Sequence, residues 1–70
     1  MRFKVDTKAI RAQIFKHGWT MSDFSKATHL NYQTCRKLVT DGEEVNLKTI
    51  AFVARAFNIN GEELILKEQS

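Results

Sequence analysis

Residues 20–40 read TMSDFSKATHLNYQTCRKLVT, which contains two short helical patterns separated by a few residues. Thr20 is followed three residues later by Asp23, an acidic variant of the capping box, which predicts a helix that begins directly after Thr20. His29 and Leu30 interrupt the pattern, and Asn31 is a strong N-cap for a second helix. The stretch therefore predicts two helices joined by a tight turn.

The second predicted helix has two different faces. Its inward positions include Cys35 and Leu38, where helical spacing places small and apolar side chains. Two helices with a short turn, the second carrying a polar outward face, form the arrangement of a helix-turn-helix, whose second helix reads base edges in the major groove of DNA. The outward face consists almost entirely of hydrogen-bond donors: Tyr32, Gln33, Arg36 and Lys37.

The segment before this pair predicts one helix and one strand-like end. Asp6 or Thr7 can cap a helix that runs to His17, with Ala9, Ile10, Ile14 and Phe15 facing inward, and Gly18 ends it in a left-handed conformation. Residues 1–5 alternate apolar and charged side chains, so they form either a disordered arm or a short β pair with residues 64–66.

The segment after the pair predicts a turn and two further helices. Residues 41–44 read as a turn without a core position. Asn46 caps a helix from Leu47 to about Phe57 that leaves Phe52 facing outward, and Asn58 ends it. Asn60 with Glu63 repeats the capping-box pattern and begins a last short helix or turn, after which residues 67–70 should fray.

The order and spacing of these features resemble the Cro/cI-type (XRE-like) helix-turn-helix DNA-binding domains over roughly residues 8 to 66. The resemblance implies an all-α fold: a compact, lambda-repressor-like bundle of about five short helices around a central helix-turn-helix. The length of the chain indicates a single domain over residues 1–70. The residues that carry it are Gly18-Trp19-Thr20, Phe24-Ser25, Leu30, Leu47, Ile50, Val53, Ala54, Phe57, Ile59 and Leu64.

The resemblance also implies roles for individual side chains. Gln33 is expected to pair with adenine and Arg36 or Lys37 with guanine, while Tyr32 meets a thymine methyl group or a phosphate. The residues expected at the DNA backbone, near helix amino ends, are Thr20, Ser22, Asn31 and Lys48.

Three features depart from the family pattern. His29 stands where relatives have glycine in the turn, and histidine is among the residues that tolerate positive φ. Ile14 and Val39 replace an arginine and a glutamate that often pair in relatives, so we expect an apolar contact between them. The loop after the second helix is acidic, which indicates that it points away from DNA or that binding is weaker than in relatives.

Composition supports a small nucleic-acid-binding domain. Residues 1–40 carry eight lysines and arginines against two aspartates, a net charge of +6, whereas residues 41–70 carry a net charge of −3.

Seventy residues bury a limited core, so we expect a homodimer, with Phe52, Leu64 and Leu66 at the subunit contact. The single cysteine, Cys35, is expected to be a buried structural thiol.

We therefore expect a cytoplasmic repressor of the Cro type that binds a double-stranded DNA operator, as in small phage or prophage regulators, or the excised amino-terminal domain of a longer repressor. The alternative is a helix-turn-helix module that binds protein, as an antirepressor or antitoxin-like partner. The sequence has no apolar run long enough to span a membrane, and it suggests no small-molecule ligand, cofactor or metal site. It also lacks a phosphate loop or an activated nucleophile, which argues against an enzyme.

Overall fold

The computed structural model describes residues 2–42 and 44–66. The predicted bundle of about five short helices is confirmed, since this part of the chain forms four α-helices and one 3₁₀ helix, with one two-stranded sheet. The prediction that residues 67–70 fray lies outside the described residues. In chain order the elements are β1 (Arg2–Lys4), α1 (Thr7–His17), α2 (Met21–Thr28), α3 (Tyr32–Thr40), β2 (Glu44–Asn46), α4 (Leu47–Phe57) and the 3₁₀ helix (Gly61–Leu64).

Each α-helix begins at a polar residue whose side chain accepts hydrogen bonds from the first turn. Asp6, rather than Thr7, caps α1, and its carboxylate accepts from the backbone N–H groups of Lys8 and Ala9 at 3.1 and 3.3 Å. The side chains of Asn31 and Asn46 cap α3 and α4 in the same way, at 2.7 and 2.9 Å. These local signals explain why the helix starts were predictable from sequence.

The core is built from all four α-helices and the 3₁₀ helix. Its aromatic part is a stack in which the Phe24 and Phe57 rings lie 5.4 Å apart and 9° from parallel, with Trp19 5.4 Å from Phe57. Such pairs add about 0.5–1.5 kcal/mol beyond the area they bury. The stack fixes α2 against α4. The buried apolar residues are Val5, Ile10, Phe24, Cys35, Leu38, Ile50, Val53, Ala54, Phe57 and Leu64.

The amino-terminal strand pairs mainly with a partner that the sequence did not indicate. β1 lies antiparallel to β2, with Phe3 opposite Val45. The alternative pairing with the carboxyl end is limited to an antiparallel bridge between Val5 and Ile65. Two backbone hydrogen bonds of 2.8 Å flank it, from the Leu66 N–H to the Lys4 carbonyl and from the Asp6 N–H to the Leu64 carbonyl. The amino-terminal segment therefore ties the region after α3 to the carboxyl end.

The turn prediction for residues 41–44 was wrong in two respects. Glu44 belongs to β2, and Gly42 is buried with φ 63, where an added Cβ would lie 3.1 Å from the Thr7 side chain. Residue 43 lies outside the described residues. The chain therefore passes closely over the start of α1 after α3 ends, which only a glycine permits without strain.

Two aromatic side chains differ from their predicted positions. Phe15, expected in the core, is 89% exposed. Ile10 is buried and Ile14 is partly buried, so these two residues define the inward face of α1. Successive residues of an α-helix are rotated by about 100° around its axis, so Phe15 points away from the face on which Ile14 lies. Phe52, expected to face outward, is half-buried, with the Lys48 Nζ 6.0 Å from the centre of its ring.

Candidate nucleic-acid interface

The turn between α2 and α3 is held by hydrogen bonds from α2. His29 adopts φ 62 and ψ 21, which confirms the prediction of a left-handed histidine at this position. The Ser25 hydroxyl donates to the Leu30 carbonyl at 2.6 Å, and the Leu30 N–H donates to the Thr28 hydroxyl at 3.4 Å. These bonds fix the direction in which α3 leaves the turn.

Two buried side chains anchor α3 in the core. Cys35 and Leu38 are almost fully buried, as predicted from the helical spacing. The Cys35 sulfur lies 3.6 Å from the Thr28 hydroxyl, and burial raises the pKa of the Cys35 thiol although hydrogen bonding from Thr28 and Ser25 opposes the rise. Cys35 is therefore a neutral structural thiol, and its position determines which face of α3 meets solvent.

The opposite face of α3 is exposed along its whole length. Tyr32, 47% exposed, stands at the first position of the helix, and the other three predicted base-reading residues are also exposed. Gln33, Arg36 and Lys37 border an open depression of about 270 Å³, which Thr40 and Asp41 also line at the carboxyl end of the helix. The structure thus brings the four predicted base-reading side chains onto one surface: Tyr32, Gln33, Arg36 and Lys37.

A contact with α1 braces the carboxyl half of α3. The Arg11 Nε donates to the carbonyl oxygen of Val39 at 2.8 Å, so a cation lies near the negative end of the helix dipole. Ile14 and Val39 are both partly buried against the core, as apolar residues at these two positions require. Their direct contact stays a prediction.

The predicted DNA-backbone residues are exposed but differ in what their polar groups already bind. The hydroxyl of Thr20 accepts from the Asp23 N–H at 3.1 Å, and the Thr20 N–H donates to the Asp23 carboxylate at 3.0 Å. Hydrogen bonding to the Asp23 carboxylate, first from the Thr20 backbone N–H and next from the Thr20 side chain, holds the pKa of Asp23 below its ordinary value. A carboxylate therefore stands in the first turn of α2, beside Ser22, where it opposes the approach of a phosphate.

The other two predicted backbone residues lie at the amino ends of α3 and α4. The side-chain oxygen of Asn31 is engaged by the Thr34 N–H. Lys48 is exposed in the first turn of α4. A lysine ammonium is a mobile point charge suited to phosphate, and the phosphate contact of Lys48 stays a prediction.

The predicted subunit contact is only partly on the surface. Leu64 is 1% exposed and packs in the core, so that residue is corrected: its side chain is not available for a subunit contact. Leu66 is 43% exposed and Phe52 is half-buried. Leu64 was misassigned because a core position and an interface position both require an apolar residue.

Sequence reasoning missed Arg2. β1 carries this residue into a cleft of about 230 Å³ that Lys37 of α3 also lines. Asn46, the last residue of β2, and Thr49, in the first turn of α4, contribute to the same cleft. The alternation of charged and apolar residues in β1 identified the outward side of the strand. No local signal identified the helix beside which Arg2 lies.

Metal-ligating side chains and long apolar helices also bear on the kind of site. Within residues 2–42 and 44–66, no three His, Cys, Asp or Glu side chains form a group that could hold a metal ion. Among the helices that the structure describes, none has the length and apolarity that crossing a membrane requires.

The fold and the exposed donor face of α3 define a helix-turn-helix domain of the kind that binds DNA. The chain matches the model of the Cro/C1-type HTH DNA-binding domain over residues 9–67. It therefore belongs to this family. Comparison with curated proteins and with solved structures gave no match.

Proposed function

We propose that this protein is a sequence-specific regulator of transcription that represses a promoter by occupying a double-stranded DNA operator. The observation that carries the proposal is the exposed face of α3, which bears hydrogen-bond donors on a helix whose other face is locked in the core. The family to which the chain belongs supports a DNA-binding regulator. Repression by simple occupancy, as by the small Cro-type repressors of phages or prophages, needs no domain besides this one.

In this proposal α3 enters the major groove and reads bases directly. Gln33 has both a donor and an acceptor and forms a bidentate pair with adenine, while Arg36 or Lys37 donates to O6 and N7 of guanine. Tyr32, at the amino end of α3, meets a thymine methyl group with its ring or a phosphate with its hydroxyl. These four residues carry the choice of sequence.

Phosphate contacts carry affinity and register. Lys48 and Asn31 fit this role best, because both are exposed at helix amino ends. Thr20 and Ser22 are weaker contributors in this proposal, since the Asp23 carboxylate stands in the same first turn. The backbone N–H and the hydroxyl of Thr20 are also already used in the helix cap.

We further propose that the protein binds its operator as a dimer. One module of this size covers limited DNA surface, and two modules on half-sites about one helical turn apart give the stronger selection that a regulator needs. Leu66 and Phe52 are the remaining candidates for the subunit contact. Sedimentation of the protein alone and on a selected operator tests this part, and a strict monomer in both would refute it.

The experiment for DNA binding is fluorescence anisotropy with a labelled duplex pool of random sequence, titrated at several salt concentrations. Binding should weaken steeply with salt, with a logarithmic slope of about −0.9 for each phosphate contacted. The Lys48→Gln variant should lower the magnitude of this slope by about one. The control is Lys16→Gln, which removes one positive charge from an exposed position on α1 and should leave the salt slope unchanged.

A second candidate function is binding of a protein partner through the outside of α1. Phe15 is the residue that this function would use, because its ring is 89% exposed and offers a large apolar surface that a partner can bury. Failure of the duplex pool to bind at low salt, together with saturable binding of a protein partner that Phe15→Ala abolishes, would favour this function over the first.

A further inference from the structure

We infer that Arg2 on strand β1 binds a DNA phosphate beside the recognition helix, an inference that rests on the proposed DNA-binding function. The starting observation is the cleft between α3 and the start of α4, to which β1 contributes Arg2 and α3 contributes Lys37. These residues are 35 positions apart in sequence, and the pairing of β1 with β2 brings them to one site. No part of the family match includes Arg2, because the match begins at residue 9.

The backbone holds Arg2 in this position. Arg2 lies opposite Asn46 in the β1–β2 register, and its Nη2 donates to the Glu44 carbonyl at 3.2 Å. A guanidinium has five N–H donors in a planar fork, so this one bond orients the group and leaves a fork that fits two oxygens of a phosphate. Arg2 is exposed, as a residue that meets a ligand in solution must be.

The other groups of the cleft suit an anion. Its lining contains two cationic residues and one acidic residue, Glu44, whose hydrogen bond with Arg2 is through the backbone oxygen. The side-chain oxygen of Asn46 accepts hydrogen bonds from the N–H and the hydroxyl of Thr49, at 2.9 and 3.1 Å. Because this oxygen faces Thr49, the side-chain NH₂ group of Asn46 faces away from Thr49. The lining therefore combines a net positive charge with amide and hydroxyl groups.

The position of Lys37 connects this cleft to the base-reading face. Lys37 lines the cleft with Arg2 and also borders the depression formed with Gln33 and Arg36. A duplex whose base edges meet Gln33 and Arg36 therefore passes its sugar-phosphate backbone near Arg2. The ligand of Arg2 is one backbone phosphate of the same operator that α3 reads, and its contribution is independent of the base sequence.

The test compares Arg2→Gln with Arg55→Gln in the full chain. Arg55 is an exposed arginine in the last turn of α4, whereas Arg2 on β1 lies beside the start of α4. Each variant therefore removes one positive charge, but at a different place on the surface. Affinity for the random duplex pool is measured by anisotropy across a range of salt concentrations. We expect Arg2→Gln to weaken binding about fivefold to tenfold near 0.1 M salt and to lower the magnitude of the salt slope by about one, with Arg55→Gln close to wild type.

Two additional variants sharpen the result. Arg2→Lys keeps the charge and should recover most of the salt slope, while Glu44→Gln removes the acidic group of the cleft and should tighten binding. If Arg2→Gln also destabilises the fold, the salt slope still decides, because it counts the phosphates that the folded protein contacts.

The possible outcomes separate this inference from the proposed function. Equal slopes for Arg2→Gln and Arg55→Gln, with normal binding by the wild type, would overturn the role of Arg2 and leave the proposed function intact. If binding-site selection with Arg2→Gln shows a changed preference at one base position, instead of uniform weakening, that result would also overturn the phosphate assignment. Absence of any binding by the wild type at low salt would refute the proposed function itself, and this inference with it.

Discussion

The left-handed turn residue His29 provides a direct test of how the recognition helix is positioned. Its φ of 62 and ψ of 21 place a non-glycine residue in a region that costs about 1–2 kcal/mol for an L side chain. Glycine avoids this cost but has about 0.5–1 kcal/mol more unfolded-state entropy to lose. We therefore expect His29→Gly to raise the free energy of unfolding by about 0.5 kcal/mol, whereas His29→Val, which is β-branched, should lower it by about 1–3 kcal/mol.

The assay is urea denaturation at constant pH, followed by circular dichroism. A difference of about 1 kcal/mol shifts the urea midpoint by about 0.3–1 M, because the m value of a small domain is about 1–3 kcal/mol/M, so the valine variant should be clearly resolved from the glycine variant. Asn58, the other described non-glycine residue at positive φ, provides the matched control, and Asn58→Gly should show a gain of similar size. A valine variant as stable as wild type, or a glycine variant clearly less stable, would refute the claim that this backbone conformation is strained.

Three further predictions concern α2 and the core of α3. Thr28→Val should lower the free energy of unfolding by about 1–3 kcal/mol, as measured by urea denaturation. The reason is that the buried Thr28 hydroxyl donates to the Phe24 carbonyl at 2.8 Å and accepts from the Leu30 N–H, and valine has no hydroxyl. An unchanged free energy of unfolding would contradict this. Cys35 should react with a thiol reagent only as fast as the protein unfolds, since it is buried and its pKa is raised, and rapid labelling of the native protein would show otherwise. The lowered pKa of Asp23 implies stability that is fully present above the unfolded-state pKa of about 3.9 and is lost as the pH falls through the folded-state pKa, which lies below that value. The advantage of wild type over Asp23→Asn should therefore begin to shrink near about pH 4 and disappear only at lower pH, and a difference that is independent of pH would contradict this.

The helix-turn-helix was predictable because its signals are local. The caps at Thr20 and Asn31 lie within three residues of the amides they bind, and helical spacing alone placed Cys35 and Leu38 inward. The amino-acid sequence alone was therefore sufficient to place the four base-reading candidates on one face of α3.

What the sequence did not predict depends on long-range packing. β1 is three residues long, so its alternation could not identify β2 as its partner, and the position of Arg2 beside Lys37 follows only from that pairing. Phe15 was misplaced because apolar character was given more weight than its angle from Ile14 around the helix. In each case an apolar or charged residue type was compatible with several locations, and the assembled fold selected one.

The central claim is that the outward face of α3 reads the bases of DNA. It is tested most directly by selecting binding sites from a random duplex library at one fixed salt concentration, with the wild type, Gln33→Ala and Lys48→Ala. We predict that Gln33→Ala relaxes the preference at one base position, at a cost of about 1–3 kcal/mol for that base pair, whereas Lys48→Ala weakens all sequences alike. Identical site preferences for Gln33→Ala and wild type, repeated for Arg36→Ala, would contradict the assignment of α3 as the reading helix.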